Sequence, residues 1–314
     1  MLILLNAFEG IFVIAVIVVV GIILAKMNVF KEEHLDLLSF LVNNVSFPAY
    51  MVVNISKTFT KKEILNLSKG LIVPACAMII SLLIGILFTK AANIDNKKRG
   101  VFVTIFSLSN TIFVGLPVCK ALFGDKAVTY VLLYYLANTT IFWTIGVNRI
   151  INSIEENQNY SNNILKRILT PPLYSFIIGI VLVMLDIRLP DFISRCLNYL
   201  GDMTTPLSMF FIGIVINSMG IKNFKLNKDN LLVLLGRFLI TPLITFLLLK
   251  LIYLPIDMKK VFFVMSVMPA MVQTAIVSKK YGADYQFATS IITITTILSM
   301  IIIPIYRLLS EILF

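Results

Sequence analysis

Ten apolar runs that read as candidate membrane spans, the sixth of them short and the seventh interrupted by Asp202 and Pro206, constrain this chain more than any other feature. A hydrocarbon core about 30 Å thick is crossed by roughly 20 consecutive apolar residues in a helix. On that template the spans fall at about 7–25, 35–54, 70–89, 100–122, 128–150, 172–186, 193–218, 231–253, 261–279 and 286–309. Backbone polar groups in hydrocarbon must be satisfied within the protein, so the expected fold class is all-α and membrane-integral. Composition agrees: 59% of the 314 residues are hydrophobic and 14% charged, where a soluble domain carries about 25% charged residues. The net charge of +11 does not point to nucleic acid, because the lysines sit in short clusters between apolar runs. Anionic headgroups and the cytoplasmic-loop bias put them there. No metal-ligand spacing, paired catalytic acids or phosphate loop stands out, so neither an enzyme nor a cofactor is expected. Cys76, Cys119 and Cys196 read as small core residues without a disulfide. The one histidine, His34, reads as a solvated loop residue. The first run lacks a signal peptide's basic flank and cleavage site, and reads as a retained span.

The fourth run carries SLSNTIFVGLPV, which sets Asn110, Thr111, Gly115 and Pro117 near the expected midplane. A helical proline has no N–H to donate and its ring meets the carbonyl four residues back, here that of Phe113. In a membrane such a break survives where it is buried in protein or lines a wet cavity. Many membrane prolines only kink their helix. A second break, however, falls at the corresponding place in the ninth run, VMSVMPAMVQTAIV, where Pro269 and Ala270 precede Gln273 and Thr274.

The two breaks belong to two similar halves. Residues 21–51 lie on residues 179–209 without a gap: Gly21 falls on Gly179, Ile22 on Ile180, Leu24 on Leu182, Pro48 on Pro206 and Met51 on Met209. The division is 1–151, a polar central loop at 152–170 placed in the cytoplasm, and 171–314. Five spans is an odd number, so the second half enters the membrane inverted. Inverted repeats with broken helices at the site are a common construction of secondary transporters. Lysine and arginine are in modest excess on the side that places both termini outside the cell membrane. The exception is the segment 57–69, which reads as an interfacial helix with Ile64, Leu65 and Leu67 facing lipid.

NTIFVGLP, PAMVQTAIVSKKYG and the five-plus-five order of spans resemble the auxin efflux carrier family, which includes plant PIN-type auxin carriers and bacterial malate-type permeases. The resemblance covers essentially the whole chain. It implies broken helices four and nine crossing beside a substrate cavity. It further implies a scaffold of spans 1, 2, 6 and 7, often a homodimer, and a mobile bundle of spans 3–5 and 8–10. Asn110 matches the asparagine that contacts a substrate carboxylate, and Pro117 and Pro269 match the crossover prolines. The long cytoplasmic loop of the plant carriers is absent, and substrate identity does not carry over.

Chemically, a broken helix offers about half a positive charge at its inner N-terminus. Two such ends with Asn110 suit a carboxylate. Arg237, the only basic residue deep in a span, reads either as a counter-ion or as a cap on freed carbonyls. Asn43, Asn44 and Asn138 are further polar candidates at membrane depth, each more often interhelical glue than ligand. For ion coupling, Asp202 is the main acidic candidate and Glu9 lies near a span end, so proton coupling, sodium coupling and uncoupled movement all stay open. These readings combine into a secondary-active or uncoupled carrier of a small organic anion, auxin-like or a dicarboxylate, working by elevator-type alternating access. The alternative is a membrane sensor on a carrier fold. A sensor is expected to append a soluble output domain, whereas this sequence stops at Phe314 after span ten.

Overall fold

The computed structural model describes residues 2–31, 33–58, 60–154, 170–219 and 227–314. The regular elements there are helices: α1 (Leu2–Lys26), α2 (His34–Lys57), α3 (Lys61–Ala91), α4 (Asn96–Ser107), α5 (Thr111–Phe123), α6 (Lys126–Ile151), α7 (Pro171–Met184), α8 (Asp191–Ser218), α9 (Lys228–Leu251), α10 (Ile256–Ser266), α11 (Gln273–Tyr281) and α12 (Tyr285–Leu313). Six have the length and apolarity to cross a membrane: α2, the Gly70–Ala91 part of α3, α6, α8, α9 and α12. Shorter apolar helices are Phe12–Lys26, Thr111–Phe123 and Pro171–Met184. Leu87, Leu247 and Ile301 are each more than half exposed, as suits side chains whose solvent is lipid. This is a multi-pass membrane protein. Most of the central loop, 155–169, lies outside the described residues, as do the side chains of Ile64, Leu65 and Leu67. His34 opens α2, and its Nδ1 accepts the Lys31 N–H at 2.9 Å.

The chain forms two compact units, each gathered from separate stretches of sequence. One comprises Met1–Gly70, Ile112–Leu133 and Leu169–Gly220; the other comprises Leu71–Thr111, Tyr134–Ile168 and Ile221–Phe314. Each therefore draws on both halves of the sequence.

Prolines shape several helices through one device. The π-turns Val42–Ser46, Thr111–Gly115 and Gly236–Ile240 each end two residues ahead of a proline, namely Pro48, Pro117 and Pro242. The wider turn gives the ring room against the carbonyl four residues back, where a regular turn forces a clash. Pro242 frees the carbonyl of Phe238, and Tyr306 from α12 donates its hydroxyl to that oxygen at 2.6 Å. A buried carbonyl in hydrocarbon costs several kcal/mol when left bare. This tyrosine removes that cost.

In the first unit the likeness between the two halves takes physical form. After α1 the Val29 N–H donates to Leu24 O at 3.0 Å and the Asn28 N–H to Ala25 O at 3.1 Å. After α7 the Ile187 N–H donates to Leu182 O at 2.9 Å and the Asp186 N–H to Val183 O at 3.2 Å. Both are Schellman endings, which need a left-handed residue after the last turn. Asn28 (φ 59°) and Asp186 (φ 55°) fill that slot, using the two side chains that tolerate it best after glycine. Each residue of the first motif falls on its counterpart in the second at the offset that lays Gly21 on Gly179. The packing repeats at the same offset. α1 packs on α8, where a Cβ on Gly213 would lie 2.8 Å from the Gly21 Cα. α7 packs on α2, where a Cβ on Gly179 would lie 2.8 Å from the Ile55 Cβ. Ile55 is the counterpart of Gly213. Small residues let membrane helices approach this closely, and both halves place one at the same point.

Candidate functional site

Among the described residues of the second unit, two of the expected spans, the fourth and the ninth, are interrupted part-way. α4 ends at Ser107, and Leu108 is extended, with φ −105° and ψ 139°. The helix resumes at Thr111. α10 ends at Ser266 and α11 begins at Gln273, with Pro269 and Ala270 between them. The first interruption thus lies at 108–110, on the N-terminal side of Pro117, because the π-turn absorbs the proline ring.

The two interruptions are joined backbone to backbone. Ser109 and Ala270 form an isolated antiparallel bridge, and the Asn110 N–H donates to Pro269 O at 2.8 Å. Breaking two helices at membrane depth orphans amides and carbonyls, and several of them have partners from elsewhere in the unit. The Ser109 N–H donates to Asn138 Oδ1 at 2.9 Å, and Asn138 Nδ2 returns a bond to Ser109 O at 3.0 Å. The Ala270 N–H donates to Thr295 Oγ1 at 3.1 Å. Asn138 and Thr295 lie on the last long helix of their respective halves, α6 and α12. On the carbonyl side, Ser109 Oγ donates to Met265 O at 3.1 Å, and Thr241 Oγ1 donates to Phe106 O at 3.1 Å. Arg237 Nη2 then bridges the two breaks, donating to Ser109 Oγ at 2.5 Å and to Ser266 O at 2.6 Å.

Every one of these groups is out of solvent. Ser109, Asn138, Arg237, Ser266, Ala270 and Thr295 have no exposed surface, and Asn110 and Thr111 have almost none. The Arg237 guanidinium is the notable charge here. No aspartate or glutamate among the described residues pairs with it. Its Nε and Nη1 find no acceptor in hydrogen-bonding geometry, while the Tyr134 hydroxyl lies alongside. A buried charge without a counter-ion costs several kcal/mol even after relaxation. The carbonyl, hydroxyl and phenol dipoles around Arg237 offset part of that cost.

The structure therefore brings together Asn110, Asn138, Pro269, Ala270 and Arg237, with Thr111 adjoining. Gln273 and Thr274 open α11 directly after the second break. Gln273 is half-buried, and Thr274 is fully buried with no partner for its Oγ1. Both polar ends of Asn138 are engaged by the Ser109 backbone, so in this state it is a positioning residue. Gly115, Pro117, Asn43 and Asp202 belong to the first unit. Asn43 donates back to Ser39 O at 2.9 Å within its own helix, and Asn44 likewise to Phe40 O at 2.9 Å. Asp202 is exposed at the end of the first segment of α8. It lines a polar cavity of about 150 Å³ with Tyr50, Lys57, Lys120 and Asp125. Sequence reasoning missed Ser109, Ser266 and Thr295. Ser109 had a legible signal in its place beside Asn110; Thr295 lies among several threonines that look alike.

The family model for membrane transport proteins matches residues 6–307, nearly the whole of the chain. The chain belongs to the auxin efflux carrier family. It is similar to an uncharacterized transporter of Methanocaldococcus jannaschii, with 27% identity over 304 residues, covering 95% of this chain and 97% of the relative. A second uncharacterized transporter, from Methanothermobacter thermautotrophicus, is 25% identical over 307 residues, covering 95% and 96%. Membership makes this a membrane transporter of small molecules and not an enzyme.

Proposed function

We propose that this transporter carries a small organic anion, a carboxylate, by elevator-type alternating access, and that its ten spans form two inverted five-helix repeats. The observation that carries the reading is Arg237. A fully buried guanidinium with no carboxylate partner among the described residues is tied by one nitrogen to both broken helices. An anionic substrate at that crossing supplies the missing counter-charge. Asn110, held by its backbone to Pro269 O, offers an amide to the same carboxylate. The amides that open the helices after each break add their partial positive charge. Thr111, Gln273 and Thr274 complete the polar set.

The repeat reading is supported by the matched Schellman endings and the matched close approaches in the first unit. The scaffold in this proposal is α1, α2, α7 and α8, which also forms the homodimer, and both termini lie outside the plasma membrane. The crossing travels with its own unit as the mobile part. A crossing held by this many directional bonds is suited to move as a rigid body. Gly115 and Pro117 serve by shaping α5, and Asp202 by coupling or by setting the charge of the cavity it lines.

Binding by the purified protein tests the proposal. Asn110→Ala weakens acid binding by about 1.5–3 kcal/mol, the range for a hydrogen bond to a charged group. Asn110→Asp is worse than alanine, because it sets like charge against the ligand at low dielectric. Neutral amides of the same acids bind weakly to all three proteins. Amides that bind as tightly as their acids, or an aspartate variant with wild-type acid affinity, remove the organic-anion assignment.

A further inference from the structure

Away from the crossing, the second unit carries a cavity of about 370 Å³ whose lining includes Lys90, Arg99 and Arg149 together with Thr89, Asn96 and Asn152. Its place in the fold is informative. Lys90 lies at the end of Gly70–Ala91 and Arg149 at the end of Lys126–Ile151, two helices of membrane-crossing length. Arg99 lies in the first turns of α4, whose N-terminus opens into the same groove. The cavity thus lies at headgroup depth, whichever way the chain faces.

All three cations are exposed, and none of them pairs with a carboxylate among the described residues. The nearby acids are engaged elsewhere. Asp95 caps α4 by accepting the Lys97 N–H at 2.9 Å, and Asp229 pairs with Lys98 at 3.3 Å. The groove is also built rather than incidental. At its floor Gly100 meets the end of α6, where an added Cβ would lie 2.3 Å from Arg149 O and 2.5 Å from the Ile150 Cα. That close approach brings the backbone next to Arg99 against the backbone of Arg149, and both arginines line the cavity. Arg99 Nε is held by Ile94 O at 2.8 Å, and its side chain lines the cavity. An apolar track leads away from the cations along α3, where Leu83 (56% exposed) and Leu87 (63% exposed) share a face with Lys90.

We infer that this groove binds the headgroup of an anionic phospholipid, with the phosphate held by Lys90, Arg99 and Arg149 and the acyl chains lying along Leu83 and Leu87. Basic pockets between membrane helices recognise such headgroups, and forked guanidinium groups match phosphate oxygens. The exposed leucines favour a lipid over a soluble phosphate, because a free ion has no use for an apolar track.

The test compares the full-length protein in phosphatidylcholine nanodiscs with and without phosphatidylglycerol. Retained lipid is counted by native mass spectrometry, and melting temperature is read in parallel. The variant is Lys90→Gln/Arg99→Gln/Arg149→Gln. The control, Lys126→Gln/Arg188→Gln/Arg195→Gln, removes as many exposed charges elsewhere. Each surface cation is worth about fivefold in affinity for an anionic lipid, so the triple variant loses on the order of 100-fold. Phosphatidylglycerol is expected to be retained by, and to raise the melting temperature of, the wild type and the control but not the triple variant. Equal retention by control and triple variant overturns the inference. So does equal protection of the wild type by millimolar inorganic phosphate without phosphatidylglycerol. A triple variant that melts below the wild type by the same amount with and without phosphatidylglycerol shows that the cations stabilise the chain itself rather than a bound lipid, and overturns it as well.

Discussion

Replacing Asn138 isolates what holds the broken helices in place. Its side chain accepts from the Ser109 N–H and donates to the Ser109 carbonyl, at 2.9 and 3.0 Å, in a region without solvent. Asn138→Ala takes the partner from two fully buried backbone groups. An unsatisfied buried group costs about 1–3 kcal/mol, so the pair sets a ceiling near ~6 kcal/mol. Hydrogen bonds in membranes measure lower, at about 0.6 kcal/mol on average, because the unfolded chain finds partners within the bilayer too. That sets a floor near ~1 kcal/mol for two. The expected loss is about 2–4 kcal/mol, between those limits. Thr295→Val takes the acceptor from one break amide, the Ala270 N–H at 3.1 Å, along with the hydroxyl's own bond to Ile291 O at 2.8 Å, with little change in volume. It is expected to cost about half as much. Reversible denaturant unfolding in bicelles gives both values, and acid binding measured on the folded fraction separates a brace from a ligand. An Asn138→Ala protein of wild-type stability that has lost acid binding would falsify the positioning role and return Asn138 to the ligand set.

Two further outcomes follow from the same bookkeeping of backbone groups and from the repeat. Tyr306→Phe bares the Phe238 carbonyl and costs about 1–3 kcal/mol, but far less in a Pro242→Ala background, where alanine can return an N–H to that oxygen; a double-mutant cycle of unfolding energies that shows no coupling rules this out. In a protein lacking Cys76, Cys119 and Cys196, single cysteines at Asn28 and Asp186 occupy matching turns of the two halves. An impermeant thiol reagent added to intact cells labels one and not the other if the halves are inverted, whereas labelling of both from outside leaves the halves parallel.

Much of the arrangement was legible because membrane chains advertise their exceptions. Polar Asn110 and Pro117 inside an apolar run marked the first break, Pro269 marked the second, and the alignment of Gly21 on Gly179 foretold matching turns. The position of the first break was harder to read. A proline signals an obstructed turn, but the sequence does not say whether the helix breaks there or widens. Thr111–Gly115 widens, and the break falls at 108–110. The bracing residues were hidden for a related reason. Ser109 and Thr295 are small hydroxyl residues, which in a membrane helix usually bond their own preceding turn, and Thr295 does that too, donating to Ile291 O at 2.8 Å. Arg237 was conspicuous as the deep cation. Its ties to Ser109 and Ser266 depend on α9 meeting both breaks, a tertiary fact with no local signature. Nor does the division into two compact units follow from the linear halves, since each unit collects pieces of both.

Flux through the reconstituted protein is the most direct test. Proteoliposomes are loaded with labelled monocarboxylates and dicarboxylates and, separately, with their neutral amides, using wild type and Asn110→Ala matched for folded protein. A carboxylate carrier gives saturable acid flux, amide flux no faster than from empty liposomes, and acid flux reduced in the variant by about 10-fold or more, the rate equivalent of one lost charged hydrogen bond. Amide flux equal to acid flux, or acids that bind but never cross, contradicts it.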